Sequence, residues 1–148
     1  MSNPFVHIEL NTGDLAAAKK FYKKIFDGWS LHDETLDHGA VYTMIAAGKH
    51  GIGGMQVKMM PEAPTLWLPY VEVDDVKETM ARAQKAGATL MVPFMEIGEM
   101  GSIGIFNDPT GATLGVWAAP KKEKKSKKDK KEKKEKKQKK DGKKKSKK

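Results

Sequence analysis

Phe5–Leu10 is a short apolar-rich run and predicts a strand. Asp14 then precedes LAAAKKFYKKIF, in which Leu15, Ala18, Phe21, Tyr22 and Ile25 recur at helical spacing, with Lys19, Lys20, Lys23 and Lys24 on the opposite side. That pattern predicts an amphipathic helix capped by Asp14 and ended near Gly28. Trp29–Leu36 and Ala40–Ala47 read as paired strands joined by a polar turn at Asp37–Gly39. Gly48–Gly51 marks a further turn and Gly53–Met59 a fourth strand. The double glycine Gly53–Gly54 predicts a bend or a close backbone approach.

Pro61–Pro64 interrupts the pattern, which then restarts. Leu66–Val73 predicts a strand, and Asp75 with Glu78 three residues on is a helix-start signature. Val76, Met80, Ala83 and Ala86 share one face of a helix ending at Gly87. Thr89–Met95 is a strand and Glu96–Gly101 a glycine-bearing loop. Ser102–Phe106 and Ala112–Trp117 form a hairpin around Asn107-Asp108-Pro109-Thr110-Gly111, whose residues favour a tight turn.

The order strand, helix and three strands therefore occurs twice, and a shift of 61 residues lays Asp14-Leu15 on Asp75-Val76. The predicted class is α+β. Two βαβββ modules, about 3–60 and 65–119, make one domain over 3–119. One helix covers only one face of a four-stranded unit, so the modules are expected side by side. They would form a curved, mostly antiparallel eight-stranded sheet with the helices outside and a cleft inside.

Composition changes the picture at the C-terminus. The chain has 148 residues and a formal net charge of +9, with 28 Lys and Arg against 19 Asp and Glu. Lys121–Lys148 holds 19 of those basic residues and 5 of the acids, which leaves 9 basic and 14 acidic residues in Met1–Pro120. The domain is thus mildly acidic, which argues against a basic nucleic-acid-binding face on it. The tail has no apolar residue to offset ordering entropy and is expected to be disordered. It is suited to weak, salt-sensitive binding of polyanions such as nucleic acid. No cysteine is present, which excludes disulfides, thiolate zinc sites and cysteine nucleophiles. MSNPFVHIEL lacks the pattern of a secretory signal, and no apolar run approaches the ~20 residues of a membrane span. A cytoplasmic protein without a transmembrane segment is expected.

Three stretches carry a resemblance: FVHIELNTGDLAAAKKFYKKIFDGWS, WLPYVEVDDVKETMARAQKAGATLMVP and GSIGIFNDPTGATLGVW. Within them, D-x-x-x-A-x-x-F-Y, VxVDDV and DPTGA are the most specific pieces. The chain resembles the vicinal-oxygen-chelate superfamily of glyoxalase I, bleomycin-resistance proteins and extradiol dioxygenases. The WLPYVEV and TLGVW segments look like its metal-ligand-poor, glyoxalase-like branch. In the metal-using members, the first and last strands of each half offer one ligand apiece. Carried over, those positions fall on His7, Gln56, Leu68 and Gly115. Leucine and glycine side chains cannot ligate, so the resemblance implies the fold and cleft, with no metal site and no cofactor.

Strand alternation places His7 with Phe5 and Glu9, Leu68 with Tyr70 and Glu72, and Gly115 with Thr113 and Trp117. If these faces line the cleft, the ligand-binding candidates are His7, Glu9, Tyr70, Glu72 and Trp117, to which the resemblance adds Gln56. His7 and Glu9 are also the acid–base candidates, because a carboxylate beside an imidazole tunes it for proton transfer. His32, His38 and His50 are expected in turn or exposed contexts, and the methionines mostly in the core. The expected function is small-molecule binding in the inter-module cleft, with a homodimer as the expected assembly. The alternatives are a divalent-metal lyase or dioxygenase, and a polyanion-associated accessory protein acting through its tail.

Overall fold

The computed structural model describes residues 2–36 and 39–120. The lysine-rich segment 121–148 and His38 lie outside the described residues. The first module contains β1 (Phe5–Thr12), α1 (Leu15–Ile25), β2 (Trp29–Thr35), β3 (Val41–Ala47) and β4 (His50–Val57). The second contains β5 (Leu66–Glu72), α2 (Val76–Lys85), β6 (Thr89–Glu96), β7 (Ser102–Asn107) and β8 (Thr113–Ala118). A single 3-10 turn, Gly98–Met100, lies between β6 and β7.

The strands form one eight-stranded sheet in the order β2-β3-β4-β1-β5-β8-β7-β6. Each module ends by returning its last strand parallel to its first, β4 beside β1 and β8 beside β5. The modules join through the antiparallel pair β1–β5, with Glu9 opposite Leu68 and His7 opposite Tyr70. The expected α+β class and the two βαβββ units are observed.

Both helices start where the sequence signals a cap. The Asp14 carboxylate accepts the Ala17 N–H at 2.9 Å, and the Asp75 carboxylate accepts the Glu78 N–H at 3.0 Å. Each satisfies a backbone donor that the first turn leaves without an intrahelical partner. α1 packs Leu15, Ala18 and Tyr22 on Leu10, Ile45, Met55 and Trp67. α2 packs Val76 and Met80 on Val73, Val116 and Ala118. Trp67 and Val73 have the same strand parity, so both helices cover one face of the sheet. Gly104 lies beneath α2, where an added Cβ would come within 2.7 Å of the Met80 sulfur, so its lack of a side chain lets helix and sheet approach.

Several local expectations differ from the structure. The methionines are not mostly core: Met55 and Met80 are buried, but Met59, Met60, Met91 and Met100 are exposed. Phe21 and Ile25 are 56% and 50% exposed, because α1 rests on its Leu15–Ala18–Tyr22 edge. β4 begins at His50, which shortens the preceding turn to the residues around Gly48, whose φ is +65°. Phe5 leaves the His7 face: a bulge between Phe5 and His7 sets Phe5 opposite Val71, while His7 pairs with Tyr70. An extra residue in one strand reverses the alternation beyond it.

Candidate functional site

The face opposite the helices collects polar groups on the first module and apolar groups on the second. Glu9 and Leu68 are cross-strand partners at the centre of that face. Glu9 is only 7% exposed, yet it accepts four hydrogen bonds from side chains on four strands. Oε1 accepts Asn11 Nδ2 at 3.0 Å, Gln56 Nε2 at 2.9 Å and Tyr70 OH at 3.3 Å; Oε2 accepts Tyr42 OH at 3.0 Å. An ionised carboxyl offers about four acceptor sites, so this group is fully engaged. Gln56 Nε2 also donates to Asn11 Oδ1 at 3.2 Å, which ties β4 to β1 a second time.

His7 joins the cluster through Tyr42, with Nε2 2.7 Å from the hydroxyl. The single Tyr42 proton goes to Glu9, so His7 must donate through Nε2–H. Its Nδ1 is then the acceptor nitrogen. Desolvation holds the His7 imidazole below its ordinary pKa, partly opposed by the charge of Glu9. Burial, then the charge of Glu9 and the hydrogen bond to it, pushes both Tyr42 and Tyr70 well above the usual phenol range. Both tyrosines are therefore neutral donors at physiological pH.

Two glycines make room for those tyrosines. A Cβ on Gly54 would overlap the Tyr42 ring and hydroxyl, and one on Gly115 would overlap the Tyr70 ring. The close approach expected at Gly53–Gly54 is thus a side chain lying over Gly54. The His7 ring sits 6.4 Å from Tyr42, nearly parallel to it, and 6.0 Å from Tyr70. On the second-module side, Leu68, Tyr70 and Ile103 are buried against Leu66, Met95, Ile97, Ile105 and Trp117.

The structure brings His7, Glu9, Gln56 and Tyr70 into one hydrogen-bonded cluster. Trp117 lies in the apolar half, and its indole N–H donates to the Met100 carbonyl at 2.7 Å. Glu72 is at the strand end, where its backbone pairs with Pro4 and Asn3; no hydrogen bond links its carboxylate to the cluster among the described residues. His32 is on β2 opposite Met44. His38 and the side chain of His50 lie outside the described residues. Tyr42 and Asn11 complete the cluster and were not singled out from the sequence. Asn11 shares β1 parity with Glu9, and the glycine at position 54 was the trace Tyr42 left.

The four positions that carry metal ligands in the fold family do not fit a metal here. Leu68 and Gly115 offer no donor atom, and the Tyr70 ring occupies the space above Gly115. His7 Nε2 and Gln56 Nε2 are engaged inside the cluster, which leaves at most two of the four positions with a donor atom to offer. Among the described residues no group of three or more His, Cys, Asp or Glu side chains is arranged to hold a metal ion.

A paired-module sheet with a polar–apolar face defines a glyoxalase-type fold. The chain belongs to the Glyoxalase/Bleomycin resistance protein/Dioxygenase superfamily, whose sequence model matches residues 5–116. It is 35% identical over 117 residues to the Mycobacterium tuberculosis protein named Putative glyoxylase CFP32, covering 76% of this chain and 44% of the relative. It is 27% identical over 127 residues to the anthracycline biosynthesis protein DnrV of Streptomyces peucetius, covering 74% of this chain and 44% of that protein. The chain thus spans less than half the length of these curated relatives. A solved structure of a hypothetical protein from Bacillus halodurans C-125 superposes with a TM-score of 0.60 at 12% identity, covering 82% of this chain and 98% of that one. That likeness concerns the fold.

Proposed function

We propose that the helix-free face binds a small organic molecule without a metal, with the Glu9 cluster as its polar wall. The observation that supports this is a buried carboxylate held by four side-chain donors beside a half-buried histidine. A strand protein does not need such a group for folding, and apolar residues would fill the space at less cost. The wall is made by His7, Glu9, Gln56 and Tyr70, together with Asn11 and Tyr42. Trp117 belongs to the apolar wall, and Glu72 to the rim. Membership of the superfamily and the part of DnrV in anthracycline biosynthesis both agree with a small organic ligand.

His7 and Glu9 are the proposed acid–base pair of this site. A proton taken up at His7 Nδ1 is balanced by Nε2–H passing its proton to Tyr42 and Tyr42 passing its own to Glu9. The imidazole ends neutral and the carboxylate protonated. The purified protein is expected to hold far less than one equivalent of zinc, nickel, manganese or iron by elemental analysis. Retention of a stoichiometric metal would favour a divalent-metal lyase or dioxygenase instead.

Assembly, location and tail are proposals of the same kind. We propose a homodimer, because β2 and β6 are the edge strands of the sheet and their free backbone groups can pair with a second copy. Sedimentation velocity tests it. A cysteine-free chain suits the cytoplasm, and among the described residues no helix is long and apolar enough to cross a membrane. The composition of Lys121–Lys148 supports a second activity, salt-sensitive polyanion binding through the tail.

A further inference from the structure

Glu9 also places a negative charge inside the proposed site, and no strand brings a cation to oppose it. The eight strands contain no lysine or arginine, while they carry Glu9, Asp33, Glu34, Glu72 and Glu96. Seven of the domain's nine basic residues lie on the two helices, which cover the other face. The remaining two are Lys49, in the turn between β3 and β4, and Lys58, just past β4, whose ammonium is held by the Ala63 carbonyl at 2.6 Å. His7 is the one nitrogen base in the cluster, and its geometry gives its proton to Tyr42.

We propose that this face selects uncharged or cationic aromatic molecules carrying a hydrogen-bond donor, and rejects carboxylates and phosphates. The inference rests on the small-molecule reading above and sharpens it to a ligand class. An anion entering the site would lose water beside a buried carboxylate, with no lysine or arginine on any of the eight strands to receive it. A cation would be drawn by the charge of that carboxylate, whose own acceptor sites the cluster fills, and by the His7–Tyr42 ring pair beside it. A neutral donor would find His7 Nδ1. The aromatic preference follows from the flanking His7, Tyr42 and Tyr70 rings and from the apolar wall around Leu68, Ile103 and Trp117. Repulsion of the wrong charge supplies as much of such selectivity as attraction of the right one.

Three probes of one shape test this: 2-naphthalenemethanol, 2-naphthylmethylammonium and 2-naphthoate. Each is titrated into the full chain at pH 7.5 with enough salt to screen the tail lysines. Binding is read from the NMR signals of His7, Tyr42, Gln56 and Tyr70. The alcohol and the ammonium are expected to bind at least about tenfold more tightly than the carboxylate. Glu9→Gln should close most of that gap. Asn11→Lys, which sets an ammonium beside Glu9 while leaving the carboxylate in place, should close it too, and serves if Glu9→Gln does not fold. Naphthoate binding as tightly as the alcohol at these residues overturns the charge selectivity while leaving the small-molecule reading standing. A gap unchanged in a folded variant overturns it as well. No saturable binding by any of the three overturns the small-molecule reading and the inference with it.

Discussion

Withdrawing a carboxylate from water costs several kcal/mol unless its acceptor sites are refilled. At Glu9 they are refilled by Asn11, Tyr42, Gln56 and Tyr70, so the penalty falls due only when the match is broken. Glu9→Gln replaces an acceptor oxygen by an NH2 group that must face donors. It is expected to destabilise the protein by about 1–3 kcal/mol, read from urea unfolding. His7 gives a prediction of opposite chemistry. Burial depresses its pKa below 6.5 in the folded chain. Between that depressed value and 6.5 the unfolded state binds the proton and the folded state does not, so stability rises with pH across that window and levels off above it. His7→Gln retains an N–H for Tyr42 but cannot titrate. Unfolding midpoints from pH 5 to 8 should therefore show a smaller slope in the variant than in the parent. A slope unchanged by the substitution would show that His7 titrates normally. Glu9 and Tyr70 were legible from strand parity, because cross-strand partners share a face; His7 and Gln56 came from the ligand positions of the family the chain resembles. Tyr42 was not, since its strand reads as ordinary core and only its distant partner Gly54 marks its position.

At the level of elements, the helices were legible to within a few residues because caps are local chemistry. Asp14→Ala removes the acceptor for the Ala17 N–H and should cost about 1 kcal/mol of stability. The hairpin between β7 and β8 was legible for the same reason: the Asp108 carboxylate collects the Thr110 and Ala112 N–H groups, and Gly111 takes φ +94°. The bulge at Val6 was not legible, since it depends on how β1 meets β5, where His7 pairs with Tyr70 far along the chain. Gly115 carries the other prediction at this scale. It occupies a position where the fold family places a ligand, and it is small because the Tyr70 ring lies over it. Gly115→Ala should destabilise the chain by about 1–3 kcal/mol through overlap. Pairing it with Tyr70→Leu should recover part of that loss, which a thermal-unfolding double-mutant cycle measures. Additive effects would mean that ring and glycine are not in contact.

For the molecule as a whole, the charge of +9 is an average over two unlike parts. Lys121–Lys148 contributes 19 lysines against 5 acids, while Met1–Pro120 carries 9 basic and 14 acidic residues. The repeated βαβββ order was legible at this scale, because the restart after Pro64 reproduces cap and strand spacing. A partner for the tail was not, because a charge run specifies sign without shape. Physics still bounds its behaviour. Each phosphate neutralised on duplex DNA releases close to one counterion, so the logarithm of affinity falls by about 0.9 per contact for each tenfold rise in salt. A tail with this many lysines should engage several phosphates together. Full chain titrated into duplexes of unrelated sequence is therefore expected to show a log–log slope steeper than about −4 and no sequence preference. Replacing half of the tail lysines by glutamine should roughly halve the slope while leaving the naphthyl-probe affinities of the sheet unchanged. A shallow slope, or a clear sequence preference, would move the nucleic-acid contact away from the tail and onto a domain whose own charge opposes it.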